Sequence, residues 1–214
     1  TMFIAVVCGI ASPLKSSHIL WINLITDSLP ALALGVDVND GKALMENSPR
    51  RADEGLFSRG GLACTCFYGI LIAGISLTAF FLPPLARIRS QGYAVTVERL
   101  AVVLRQEELL ARSQTYAFTV LGMSQLFHAV GMRDVHTSFF KMKHLQNKLM
   151  LVACAVGFLL QFAVTSVPFL IKAFGTSELA LKEWLMLGIL AAFPLLAHET
   201  AVFADWLLQL FKKS

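Results

Sequence analysis

His18–Val36 reads HILWINLITDSLPALALGV, an apolar run long enough as a helix to cross a bilayer core, yet carrying an amide, a hydroxyl and a carboxylate inside it. Asn23, Thr26 and Asp27 stand at positions i, i+3 and i+4, which fall on one face of a helix. An ionisable residue at membrane depth is costly, so it marks a functional site by default. Pro30 follows three residues later, and its ring nitrogen has no proton to give to the preceding turn. The carbonyls near Thr26 and Asp27 are thereby freed. Backbone of that kind is tolerated in a membrane only where protein or a cavity satisfies it. Hard oxygen donors gathered in this way describe a cation site of the sort that Ca²⁺ uses. The plainer alternative is a kinked helix whose Asp is hydrogen-bonded to a neighbour.

The rest of the chain places that segment in a membrane protein. Of 214 residues, 56% are hydrophobic and 15% charged, against about 25% charged in a soluble domain. Mean hydropathy is +0.66. The composition predicts an all-α, polytopic membrane helix bundle of five full transmembrane helices plus the end of a sixth. A net charge of +4 fits cytoplasmic loops and anionic headgroups of the lipid bilayer, and no aromatic-interleaved basic patch argues for nucleic acid. Cys8, Cys64, Cys66 and Cys154 all lie in apolar segments and read as small hydrophobes, without zinc or redox spacing.

Met2–Ala11 is too short to span and reads as the end of a helix, so the chain is expected to be a piece of a longer polypeptide. His18–Val36 is the polar, Pro-broken, discontinuous segment. Gly60–Leu82 ends at Pro83-Pro84 and carries Gly69, Ala73 and Gly74 for close helix packing. Ser113–Met132 holds Gln125 and His128, Leu149–Ile171 is strongly apolar, and Trp184–Phe211 is long enough to span with tilt. Loops Asp37–Arg59 and Arg133–Lys148 and the tail carry ten of the eighteen Lys and Arg residues, which puts the carboxy terminus in the cytoplasm. Thr96–Arg112 has near-helical apolar spacing and reads either as an amphipathic helix on the outer membrane surface or as a solvated helix packed on its own protein.

Leu20–Asp37, LWINLITDSLPALALGVD, resembles the sixth transmembrane helix of P-type cation-transporting ATPases and is calcium-pump-like. Met45-Glu46-Asn47-Ser48-Pro49-Arg50 and Leu56-Phe57 are similar to the loop that follows that helix in the same family. The resemblance covers the whole chain. It implies a carboxy-terminal transmembrane domain over residues 1–214, with 1–11 the end of the fifth helix, 18–36 the sixth, 60–82 the seventh, 113–132 the eighth, 149–171 the ninth and 184–211 the tenth. It further implies that Asn23, Thr26 and Asp27 are Ca²⁺ ligands, with Asp27 central. Gln125 aligns where the two-calcium pumps have a glutamate and the plasma-membrane calcium pumps a glutamine, which implies one ion per cycle. A helix–helix hydrogen bond is the competing role for Gln125. His128, and His198 with Glu199, read as packed or hydrogen-bonded groups, with proton coupling at Glu199 as the sharper alternative. No Asp-Lys-Thr-Gly-Thr phosphorylation motif and no phosphate loop occur, so the chain is not catalytic alone. ATP and Mg²⁺ would act only through cytoplasmic domains in the rest of the same pump polypeptide, with loop Pro13–Ser17 or Asp37–Arg59 as coupling element. A pump for Na⁺, Mn²⁺ or H⁺, and a non-transporting membrane interaction module, are the alternatives.

Overall fold

In the computed structural model the backbone runs α1 (Met2–Val7), α2 (Ser16–Trp21), a π-helical turn (Ile22–Asp27), α3 (Ser28–Gly35), α4 (Gly61–Ser90), α5 (Val97–Val103), α6 (Glu107–Gly131), two 3₁₀ turns (Phe139–Lys141 and His144–Gln146), α7 (Lys148–Ser166), α8 (Pro168–Phe174), α9 (Leu181–Ala191) and α10 (Phe193–Lys213). The residues described are 1–7, 9–37, 55, 57–58, 60–135 and 137–213, and among them there is no strand. The expected coupling loop Asp37–Arg59 falls largely outside them.

The hub is α6. Ser113, Thr115, Ala117, Thr119, Gly122 and Ser124 are all buried along it, and such small side chains let neighbouring helices approach closely. Helix α4 lies along α6 for much of its length, while α7, α9, α10 and the π turn pack on its other sides. One core cluster joins Ile75 and Ala79 of α4 to Tyr116, Val120 and Met123 of α6 and to Leu187 and Ala191 of α9. Another gathers Ile22, Phe80, Ala117, Phe118 and Val164 around Leu14 and Leu104.

The outer surface is the reverse of a soluble protein's. Leu20, Leu24, Leu32, Ile70, Leu159 and Ile189 are exposed. Among the described residues three helical stretches, Gly61–Ser90, Lys148–Ser166 and Leu181–Leu208 (α9 continued into α10), are long and apolar enough to cross a membrane. An exposed apolar exterior over a core of small and polar residues is the pattern of a helical membrane bundle.

Prolines set most of the departures from the expected boundaries. The 60–82 segment does not stop at Pro83-Pro84; α4 continues to Ser90. Each proline removes one backbone hydrogen bond, but both are buried and Ile88, 1% exposed, anchors the extra turns in the core. The 149–171 segment is two helices. Pro168 forces Val167 into extended backbone (φ −87°, ψ 120°) and then opens α8 from its first position. The 184–211 segment begins earlier, at Leu181, and bends at Ala192, where Pro194 cannot bond back to Leu190. Thr96–Arg112 is not one amphipathic helix. Thr96 caps α5 by accepting the Arg99 N–H at 3.3 Å, α5 ends at Val103, and residues from Glu107 onward belong to α6. Leu104 packs with Phe80 and Phe118, so this connection is fastened to its own protein.

Candidate ion site

Residues 16–35 form α2, a π turn and α3 in sequence, so the segment stays helical through the expected break. The irregularity sits one turn upstream of Pro30, in a π turn that winds Ile22–Asp27 more widely than an α-helix. Its loosened backbone is partly held by a side chain: the Ser28 hydroxyl donates to the Asn23 carbonyl at 3.0 Å. Pro30 is buried and gives no proton to the Thr26 carbonyl.

The wide turn also changes which side chains share a face. Thr26, 1% exposed, points into the bundle, whereas Asn23 and Asp27 are both exposed. Thr26 Oγ1 lies 2.8 Å from the Ile22 carbonyl and 3.0 Å from Gln125 Oε1. A hydroxyl has one proton and cannot serve both acceptors fully. Turning the Gln125 amide by half a revolution resolves the count: Thr26 donates to Ile22, the Gln125 N–H donates to Thr26, and the Gln125 carbonyl is released. A cavity of about 510 Å³ opens beside this pair, lined by Thr26, Asp27, Pro30, Gln125, Tyr68 and His128 among others. Three of the four expected ligands, Thr26, Asp27 and Gln125, therefore border one space. Asn23 does not line it.

Several neighbours are plainly structural. The His128 ring lies 4.3 Å from that of Tyr68, so the histidine is packed at the cavity edge. Tyr68 escaped the sequence analysis because a lone tyrosine in an apolar segment carries no spacing signal. Cys64 also lines the cavity, while Cys66 is exposed. Glu199 accepts from the Ser138 hydroxyl at 2.7 Å and the Phe139 N–H at 2.5 Å, capping a 3₁₀ turn, and His198 Nε2 meets the Thr137 carbonyl at 3.1 Å. Among the described residues no group of three or more His, Cys, Asp or Glu could hold a metal ion. The donor set here is of a different kind, one carboxylate with neutral oxygens, which suits a hard cation.

The helix that carries these donors is fixed at both ends. At its start, the Lys15 N–H approaches His18 Nδ1 at 3.4 Å, so Nε2 carries the proton and donates to the Phe174 carbonyl at 3.1 Å. The same imidazole stacks on Phe118 with centroids 4.4 Å apart. At its end, Asn147 Nδ2 donates to the Ala33 carbonyl at 2.8 Å, and Arg133 grips Asp37 through two hydrogen bonds of 2.7 and 3.1 Å. The sequence counts Arg133 only as a loop charge; its side chain is in fact 9% exposed and paired.

Comparison with known proteins agrees with this architecture. Residues 11–203 match the family model "Cation transporting ATPase, C-terminus". The chain is 37% identical over 199 residues to "Calcium-transporting ATPase 1" of Bacillus cereus, covering 93% of this chain and 22% of that protein. It is 32% identical over 193 residues to "Calcium-transporting ATPase" of Bacillus subtilis, covering 90% of this chain and 19% of that protein. A mouse relative, "Calcium-transporting ATPase type 2C member 2", is 28% identical over 92% of this chain and 19% of its own length. The chain thus spans about a fifth of the length of the curated relatives it matches. A helical bundle with apolar outer faces, matched along nearly its whole length, belongs to the family of cation transporting ATPase C-terminal regions, an integral membrane family.

Proposed function

We propose that this chain is the ion-binding membrane portion of an ATP-driven P-type calcium pump, corresponding to the end of the fifth helix through the tenth. Thr26, Asp27 and Gln125 hold the ion; Asn23, the fourth ligand the resemblance implies, would have to turn in from its exposed position to join them. The observation that carries the proposal is the Thr26–Gln125 contact beside Asp27 at the edge of one cavity. The names of the relatives support Ca²⁺ as cargo. Calcium takes 6–8 oxygen ligands, more than these side chains supply, so the remainder come from the Thr26 carbonyl that Pro30 leaves free, from water and from the rest of the pump polypeptide. One carboxylate with a neutral amide favours one Ca²⁺ per cycle. ATP and Mg²⁺ act in cytoplasmic domains of that polypeptide, and this chain contributes ion binding and the helix movement that opens the site to alternate sides. The charge distribution supports a cytoplasmic carboxy terminus and export across a plasma or inner membrane.

The deciding experiment is Asp27→Asn in the full-length pump. Losing the one carboxylate in the cavity is expected to abolish calcium-dependent phosphorylation by ATP. Normal phosphoenzyme formation at unchanged calcium affinity would remove Asp27 from the site. The same assay with Na⁺, Mn²⁺ or a pH change in place of Ca²⁺ separates the alternative cargoes.

A further inference from the structure

Gln161, on α7, is fully buried, and among the described residues neither its amide oxygen nor its amide nitrogen has a hydrogen-bond partner. Leaving both ends of a buried amide unpaired is costly, and a leucine of similar volume would avoid the cost. Its position suggests what the amide is kept for. A methyl placed on Gly122 of α6 would lie 3.0 Å from Gln161 Oε1 and 3.5 Å from Thr26 Cγ2. The two side chains therefore face the same small space beside Gly122, and the atom that Thr26 turns toward it is the methyl. The hydroxyl of Thr26 is turned the other way, to Ile22 and Gln125. One step of χ1 between staggered positions carries threonine's hydroxyl into the place its methyl holds, while the methyl moves on to the hydrogen's place. That step takes the hydroxyl away from Ile22 and Gln125 and into the space beside Gly122 that Gln161 also borders.

We propose that Gln161 is a positioning residue that competes with Gln125 for the Thr26 hydroxyl. With Thr26 on Gln125 the oxygens are arranged beside Asp27 for ion binding; with Thr26 on Gln161 one ligand is withdrawn and the ion is released. The first arrangement keeps the Thr26 contacts to Ile22 and Gln125 and leaves the Gln161 amide unpaired; the second gives up those contacts and pairs Gln161, and relief of a buried unpaired amide offsets the lost bonds. Gly122 is what lets the pair share this space, since any side chain there would crowd the Gln161 oxygen.

This inference rests on the ion-site reading above, and the test separates the two. Full-length pump in lipid vesicles is prepared as wild type, Gln161→Leu, Gln161→Met and Asp27→Asn. Calcium dependence of ATPase activity, maximal rate and melting temperature are measured for each. Both Gln161 variants replace an unpaired polar group by apolar atoms of similar volume, so folding is expected to be kept or improved. With the competitor removed, half-saturating calcium should fall about threefold to tenfold, the equilibrium worth of one neutral hydrogen bond, while the maximal rate drops because release is slowed. An unchanged or raised half-saturation point, in a pump whose Asp27→Asn control has lost calcium dependence, overturns the role of Gln161 and leaves the ion site standing. Retained calcium dependence in Asp27→Asn overturns the ion site and the competition together. Loss of folded protein in both Gln161 variants would assign the residue to packing and overturn the proposal as well.

Discussion

At the scale of single residues, the cavity holds one formal negative charge among the described residues, Asp27, beside neutral oxygens of Thr26 and Gln125. A second divalent ion placed there would meet the first with little charge to offset their repulsion, which at ion-to-ion distances of about 5 Å stays at several kcal/mol even in a partly screened site. Equilibrium binding to the full-length pump should therefore find one Ca²⁺ per molecule; two would mean that other helices supply the missing charge. Gln125→Leu should raise half-saturating calcium by roughly tenfold, about 1.4 kcal/mol, since it removes an oxygen ligand and leaves Thr26 with Ile22 alone. An unshifted curve would reduce Gln125 to a helix–helix contact. Asn23, Thr26 and Asp27 were legible because polar groups in an apolar run stand out. That Asn23 faces outward was not, because an i, i+3, i+4 argument assumes an α-helix and the chain takes a π turn from Ile22 to Asp27.

At the scale of elements, proline explains both what the sequence revealed and what it hid. A proline signals a lost hydrogen bond, but packing decides whether the helix stops there. Buried Pro83 and Pro84 sit inside α4, which runs on to Ser90, whereas Pro168 and Pro194 end one helix and begin another. No local pattern distinguishes these cases; the burial of Ile88 does. Pro30 is of the tolerated kind. Pro30→Ala would restore a backbone N–H facing the Thr26 carbonyl and so compete with any ion contact that carbonyl makes, leaving apolar packing almost unchanged. Expression and membrane insertion should survive while half-saturating calcium rises tenfold or more, about 1.4 kcal/mol. Wild-type calcium dependence in that variant would confine the proline to packing. Helix contact also rests on Gly157, where an added methyl would come within 2.8 Å of both Leu126 methyl groups. Leu126 is fully buried and has nowhere to retreat, so Gly157→Ala should destabilise the α6–α7 pair by about 1–3 kcal/mol, read as a lower melting temperature in detergent.

At the scale of the whole molecule, apolar burial alone cannot specify the bundle, because lipid outside is as apolar as the core within. Position is set instead by polar fasteners at the helix ends. At one end, where α3 and α6 finish, Asp37 meets Arg133, Asn147 holds the Ala33 carbonyl, and Glu199 caps the turn at Phe139. These partners are far apart in sequence and belong to different elements, so charge counting assigned Arg133 to a loop and stopped there. The ion pair matters most, because the Arg133 and Asp37 side chains are only 9% and 15% exposed, and burial raises what the loss of one member costs. Breaking such a pair by removing one member costs about 3–5 kcal/mol, whereas neutralising both members is far milder. Arg133→Gln should therefore lower the melting temperature of the full-length pump sharply, and adding Asp37→Asn to it should recover most of the loss. The pair also bears on transport, since it ties the end of the helix that carries Thr26 and Asp27 to the end of the helix that carries Gln125. The Arg133→Gln pump should bind calcium with a broadened, weaker dependence even below its melting transition, and the double variant should not restore this fully because neutral amides grip less firmly than the paired charges. Equal melting temperatures for wild type and Arg133→Gln would show that the pair is solvated decoration. Restored stability with wild-type calcium dependence in the double variant would show that the fastener serves the fold alone.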